Sequence, residues 1–145
     1  AREDDMRARA VAHGRSERIT GGGACDQPEG IEAMRAADLF VLPSRVAADG
    51  DRDGLPNVLM EAASQGLPIL STPVSAIPEF IDDGIHGVLS DDSPDALAQN
   101  MVELVTDPAK AQALADAAHA RLHAEFTMQP GIDLLAQRLR AVMDA

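Results

Sequence analysis

The sequence predicts an α/β fold, with a parallel sheet flanked by helices and then an all-helical carboxy-terminal part. Three observations predict it. Short apolar runs near residues 39–42, 68–72 and 87–89 alternate with helical segments, the order that builds a parallel sheet through crossover connections. The run Leu39-Phe40-Val41-Leu42 is continuous rather than alternating, as strands covered on both faces are. From Ser93 onward the strands stop, and Ser93-Pro94-Asp95 and Asp107-Pro108 each open a helix with a capping residue followed by proline.

Taken in order, residues 3–13 carry helical spacing in Met6, Ala10 and His13 and stop at Gly14. Arg18-Ile19-Thr20 reads as a short strand running into the Gly21-Gly22-Gly23 turn. Pro28 to Ala37 is a helix, and the apolar strand at 39–42 follows. A polar loop covers Pro43 to Gly54, after which Pro56 opens a helix to about Gln65 that Gly66 ends. Pro68 to Thr72 is the next strand, Pro78 to Asp82 a short helix, Gly84 a turn, and Gly87-Val88-Leu89 another strand. The remaining helices run from Ser93 to near Thr106, from Asp107 to about His123, and from Gly131 to about Val142. Leu97, Met101, Leu104 and Val105 form one apolar stripe, and Leu134, Leu135, Leu139 and Val142 another. The count is about four strands, fewer than the five or six usual in doubly wound sheets.

Composition narrows the function. A chain of 145 residues is room for one domain, of which about 70% of the unfolded surface is buried on folding. Three Phe, no Tyr and no Trp leave almost no stacking platform for bases. Twelve Lys and Arg against 24 Asp and Glu give a formal charge of −12, which argues against nucleic acid and anionic membrane as general partners. A small anion remains compatible, because local backbone N–H groups can oppose the global field. Cys25, the single cysteine, excludes an intrachain disulfide and a cysteine zinc site and lacks a basic neighbour to activate it. No apolar run is long enough to span a bilayer, and the charged start Ala1 to Asp5 lacks a signal-peptide core. The expectation is a cytoplasmic domain.

The densest chemistry lies between Pro43 and Glu61. This segment leaves the carboxyl end of a strand and enters a helix, the edge at which open α/β sheets bind ligands. Unpaired N–H groups at the helix start suit a pyrophosphate, and Gly54 has no Cβ to hold a ligand off the backbone. Asp53 stands just before the helix and Glu61 about a turn inside it, eight residues on. One carboxylate can reach the far end of a ligand while the other takes paired hydroxyls, such as those of a ribose; solvated charges on a loop and a helix would have the same spacing.

The nine residues Asp53-Gly54-Leu55-Pro56-Asn57-Val58-Leu59-Met60-Glu61 resemble the acid-x7-Glu signature of family 4 (group 1) retaining glycosyltransferases. The flanks agree: Ala36 to Ser44 before the motif, Glu61 to Thr72 after it, then Ile77 to Gly84 and Gly87 to Leu89 in the same order and spacing. The resemblance is strongest from about 36 to 90. It implies the two-domain GT-B fold and a Rossmann-like carboxy-terminal domain that holds a nucleotide-diphosphate sugar. Carried over by position, Glu61 binds the ribose hydroxyls. Asp53 is the catalytic-centre acid contacting donor-sugar hydroxyls, and Gly54, Leu55, Pro56 and Asn57 form the turn facing sugar and pyrophosphate. The Gly21 to Cys25 turn falls where the family's base-contacting loop lies.

Two departures accompany the match. The first acid is Asp53 where the family usually has Glu, shorter by one methylene. The family domain also opens with a strand, a helix and a second strand carrying a basic pair that grips the donor phosphates. Here the only lysine is Lys110, and Arg45 and Arg52 are not at those positions. The expectation is therefore a single partial domain over residues 1–145, α/β to about residue 92 and helical from about 93. Its first strands and the amino-terminal acceptor domain would lie outside it.

Other readings are weaker. Asp49-x-Asp51-x-Asp53-Gly54 imitates a calcium loop, but the twelfth position is Met60, Glu61 is one too far, and a strand precedes. Asp49-Gly50-Asp51 matches a metal-binding acidic triplet in the wrong surroundings. His119 and His123 have the i,i+4 spacing of a metal pair, yet with no third ligand in sequence an exposed helix face is the better reading. The expected function is donor binding in a retaining glycosyltransferase of polysaccharide or glycolipid biosynthesis, with no cofactor and no metal. Its partners are a nucleotide sugar and the missing acceptor domain, through which peripheral membrane association is open. An exposed sheet edge would also permit self-association. The alternative is a non-catalytic interaction module needing a partner chain. In both cases the isolated chain is expected to be inactive.

Overall fold

The computed structural model describes residues 2–46 and 54–143. Two compact units divide it, residues 1–32 and 33–145. In the first, α1 (Arg2–Ala12) ends on Gly14 at φ 63°, with the Gly14 N–H donating to Val11 O and the Arg15 N–H to Ala10 O. Only a left-handed residue lets the chain turn back onto the last carbonyls in this way. A single 3₁₀ turn, Ser16–Arg18, follows. The strand expected at Arg18 to Thr20 does not form. Ile19 is extended (φ −121°, ψ 117°) but 49% exposed, and no strand beside it exchanges hydrogen bonds among the described residues. Extended backbone becomes a strand only with a neighbour to complete the ladder. Helix α2 (Gln27–Arg35) begins in this unit with a reciprocal cap. Asp26 Oδ1 accepts from the Glu29 N–H at 3.0 Å, and Glu29 Oε2 accepts from the Asp26 N–H at 3.2 Å.

The second unit holds a parallel three-stranded sheet in the order β1 (Phe40–Leu42), β2 (Ile69–Ser71), β3 (Val88–Leu89). Among the described residues three strands stand where the sequence suggested about four, the difference being the unformed one near Ile19. Helix α3 (Asn57–Ser64) joins β1 to β2, and α4 (Ile77–Phe80) lies between β2 and β3. The long helices α5 (Pro94–Thr106), α6 (Pro108–Glu125) and α7 (Met128–Met143) follow. Helix α3 stops at Gly66 (φ 67°) with the same paired bonds as α1, Gly66 N–H to Ala63 O and Leu67 N–H to Ala62 O, and Leu67 turns into the core.

Successive strand side chains point to opposite faces, and both faces are covered. Ile69 joins Leu59, Ala62, Ala63, Ile77, Phe80, Ile81 and Ala118 on one side. Leu70 joins Leu104, Ala111 and Leu114 on the other. Phe40 and Leu42 pack toward the first cluster, Leu39 and Val41 toward the second. The continuous apolar run of β1 is thus used on both faces. It stays only half-buried because β1 pairs on one side, whereas the central β2 is buried throughout.

Both proline-opened helices are capped as expected: Ser93 Oγ accepts from the Ala96 N–H and Asp107 Oδ1 from the Lys110 N–H. The predicted α5 stripe is narrower than its sequence. Leu104 is buried and Leu97 half-buried, but Met101 and Val105 are 41% and 63% exposed. The inward line runs Leu97, Asn100, Leu104, with Asn100 turned in to donate to Ser90 Oγ at 2.9 Å. In α7, Leu135 and Leu139 are exposed rather than packed. No helix among the described residues is long and apolar enough to cross a membrane.

Candidate functional site at the carboxyl edge of the sheet

The three buried polar side chains among the described residues, Ser71, Thr72 and Ser90, all lie where β2 and β3 end. Burying a hydroxyl costs free energy unless it is hydrogen-bonded, and each one is. Ser71 Oγ donates to Leu42 O at 2.8 Å, Thr72 Oγ1 to Ser44 O at 2.6 Å, and Ser90 Oγ accepts from Asn100. The Ser90 N–H donates to Ser71 O at 2.9 Å. These bonds join segments 28 and 29 residues apart and tie the loops after β1, β2 and β3 into one fixed rim.

A cleft of about 430 Å³ opens on that rim, lined by Arg45, Val46, Thr72, Pro73, Val74, Asp91 and Asp92. Arg45 pairs with Asp92, Nε to Oδ2 at 3.1 Å, and its Nη2 donates to the Asp92 carbonyl. The Ser93 hydroxyl and then its backbone N–H hold the Asp91 carboxyl below its ordinary value. Asp91 is therefore an anion at neutral pH, and the cation on this rim is already neutralised by Asp92. Such a surface welcomes neutral hydroxyl groups more readily than a bare phosphate. Ser75, in the loop after β2, holds φ at 55°, a left-handed conformation that costs a non-glycine residue about 1 kcal/mol.

The other part of the edge is the entry to α3. Gly54 is exposed, and a Cβ placed on it meets nothing within 4 Å. Leu55 packs against the core and anchors the turn. Pro56 is the N-cap rather than a first-turn residue, with ψ at 124°, and its own side chain has no group to cap the helix. Its carbonyl accepts from the Leu59 N–H at 3.1 Å, while the N–H groups at the helix start have no intrahelical partner by geometry. Asn57 is exposed and Glu61 half-buried one turn on, a rise of about 6 Å along the axis. Leu59, Ala62 and Ala63 are fully buried on the core side, which fixes how α3 is rotated. Gly54, Leu55, Pro56, Asn57 and Glu61 thus share one turn and the helix it opens. Asp53, the predicted catalytic acid, lies outside the described residues, as do Asp49, Asp51 and Arg52. The Gly21 to Cys25 turn belongs to the other unit, and Cys25 is exposed there.

At the opposite, amino edge of the sheet, just before β3, the structure places a node that sequence reading missed. The Arg121 side chain, 16% exposed, reaches back from α6 to Asp82 Oδ2 at 2.6 Å, His86 Nδ1 at 3.1 Å and Glu79 O at 3.1 Å. Its guanidinium also stands 5.9 Å over the Phe126 ring. It clamps the turn between α4 and β3 across 39 residues of sequence, a separation at which no local pattern signals a pair. No cluster of three or more metal-ligating side chains exists among the described residues.

Comparison with known proteins agrees with this fold. A family model described as "Glycosyl transferases group 1" matches residues 2–107. The amylovoran biosynthesis glycosyltransferase AmsK of Erwinia amylovora is 39% identical over 104 residues, 71% of this chain and 26% of AmsK. A GDP-mannose-dependent monoacylated alpha-(1-6)-phosphatidylinositol monomannoside mannosyltransferase of Corynebacterium glutamicum is 26% identical over 94% of this chain and 35% of its own length. Among solved structures, Anabaena Alr3699/HepE, determined in complex with UDP, superposes with a TM-score of 0.80 at 20% identity, over 95% of this chain and 36% of HepE. That likeness is one of fold. The chain spans about a quarter to a third of the length of these relatives.

Proposed function

This chain belongs to the group 1 glycosyltransferases, and we propose that it is the donor-binding part of a retaining enzyme of polysaccharide or glycolipid assembly. The observation that carries the reading is the entry to α3, where an open glycine and a helix start whose N-cap is a proline stand at the carboxyl edge of a parallel sheet. A diphosphate suits that position, because helix-start N–H groups and the helix dipole both favour negative charge. Glu61, one turn inside, accepts hydrogen bonds from the two ribose hydroxyls, which a carboxylate can do as a pair. Gly54, Leu55, Pro56 and Asn57 face pyrophosphate and sugar; Pro56 has no N–H to give, so Asn57 and Val58 supply the nearest backbone donors. Asp53 contacts donor-sugar hydroxyls near the reacting carbon.

Two further facts support the reading. HepE was determined with UDP, and the Corynebacterium relative is named for GDP-mannose, so the proposal is to the nucleotide-diphosphate sugars as a class. The rim around Arg45 is neutralised by Asp92, which leaves that cleft to the uncharged part of the donor. The acceptor half would be supplied by a second domain, and transfer would take place in the cleft between the two.

Calorimetric titration of the chain with UDP, GDP and their sugar conjugates tests the assignment. Saturable binding of one of them, weakened at least about tenfold in Glu61→Ala, is the expected result. Unchanged affinity in Glu61→Ala sinks the ribose role. The same preparation should show no donor hydrolysis or transfer, and turnover at enzymatic rates would refute the dependence on a second domain.

A further inference from the structure

Two of the four histidines sit on the outer side of α6. His119 is half-buried and His123 exposed. Their Nε2 atoms are 3.2 Å apart, with ring centroids at 4.5 Å and planes tilted by 39°. Helical spacing alone brings i,i+4 side chains to neighbouring positions; it does not bring the same nitrogen of both rings face to face. Which nitrogen would donate and which accept depends on the ring tautomers. If each ring carries its proton on Nδ1, both Nε2 lone pairs are free to bind.

The distance fits a shared cation. Two imidazole nitrogens, each about 2.05 Å from one metal ion and 3.2 Å from each other, subtend about 103° at the metal. That angle lies between the square-planar or octahedral value and the tetrahedral one. We propose that His119 and His123 form a two-point site for a divalent first-row transition cation of the nitrogen-preferring kind: copper(II), nickel(II) or zinc. Water completes the coordination, since no third metal-ligating side chain joins a cluster among the described residues. Hard oxygen-seeking cations such as magnesium have no carboxylate set here and are not bound. The affinity order follows ligand chemistry, with copper(II) tightest. His86 is a poor competitor, because its Nδ1 is already engaged by Arg121 and by the Asp82 N–H.

An ion held across one turn of α6 binds the folded helix and not the unfolded chain, so it raises stability by mass action. The same helix packs Ala118 against Leu59, Ala62 and Ala63 of α3, so the whole unit should register the effect.

The test is titration of the 145-residue chain with copper(II), nickel(II), zinc and magnesium chlorides in a non-chelating buffer, by calorimetry and by thermal unfolding. The expected result is one transition-metal ion per chain and a raised unfolding midpoint, with magnesium inert. His119→Ala and His123→Ala should each weaken nickel binding at least about tenfold and remove the midpoint shift. His13→Ala should leave both unchanged. Alanine is the strongest helix former at both the half-buried His119 and the exposed His123, and His123→Gln provides a second variant of similar size, each checked by far-ultraviolet circular dichroism. Absence of saturable nickel binding up to about 1 mM overturns the proposal. So does binding that survives undiminished in His123→Ala and His123→Gln, or that disappears in His13→Ala.

Discussion

Gly87 stands just before β3, beside the central strand, and adding one methyl group there is a sharp test of how the sheet is built. A Cβ on Gly87 would lie 2.8 Å from the Ile69 carbonyl oxygen, 3.2 Å from Ile81 Cγ2 and 3.4 Å from Ile69 Cβ. Ordinary contact begins at 3.4 Å, so the first of these is several tenths of an ångström too close. The obstructing atom is backbone of β2, which is buried and paired on both sides, and it cannot swing aside as a side-chain end would. Overpacking of this kind costs about 1–3 kcal/mol. Against a total stability of about 5–15 kcal/mol the loss is large. With a urea m-value of about 2 kcal/mol/M, Gly87→Ala should lower the urea midpoint by about 0.5–1.5 M at unchanged m. Gly54→Ala is the matched control: the same methyl group meets nothing within 4 Å, and stability should stay within about 0.5 kcal/mol of the parent. A Gly87→Ala midpoint indistinguishable from the parent would refute the packing of the segment after α4 against β2.

Gly54→Ala should separate stability from binding, lowering nucleoside-diphosphate affinity at least about fivefold because a ligand on the backbone meets the new Cβ; calorimetry with unaltered affinity counts against close approach there. Phe80 is fully buried, with its ring centroid 4.9 Å from that of Phe126 in an edge-on pair. Phe80→Ala should cost about 3–5 kcal/mol in urea unfolding, and a loss below about 1 kcal/mol would remove α4 from the core. The hydrogen bond and charge of Glu103, in that order, raise the Lys110 pKa above 10.5. A raised folded-state value means that the pair's stabilisation is complete below about pH 10.5 and is lost as pH rises through the folded pKa. In Lys110→Met the thermal midpoint should therefore fall less steeply above that pH than in the parent, and parallel alkaline profiles would contradict the pairing.

Much of the fold was legible because its signals are local. Ser93-Pro94 and Asp107-Pro108 encode a cap and a fixed φ within a few residues, and both helices start where those residues stand. Gly14 and Gly66 end helices through their own backbone freedom. The Asp26/Glu29 cap was equally local and was missed, though an acid followed three residues later by Glu is its signal. Ile19 misled because β-branched character says nothing about the neighbour a strand requires. Met101 and Val105 misled because apolar spacing cannot reveal that the sheet accepts only the line through Leu97, Asn100 and Leu104. For the site, the segment from Gly54 to Glu61 was legible as one motif because a turn and a helix entry are contiguous. The Arg121 clamp on Asp82 and the Asp92 partner of Arg45 were not, being 39 and 47 residues distant.

The sequence by itself determined the order of strands and helices from α2 onward, the proline-opened caps, the acid-rich character and the motif that marks the family. Each of these depends on residues a few positions apart. Only the tertiary structure decided that β2 is central, that Ser71, Thr72 and Ser90 are buried and bonded at one rim, that Gly87 must lack a Cβ, and that two imidazoles meet at 3.2 Å. The physical reason is common to the first three: pairing, burial and close approach are set by chain segments that meet only after folding. In the fourth, spacing places the rings near each other, but side-chain rotamers decide which atoms face.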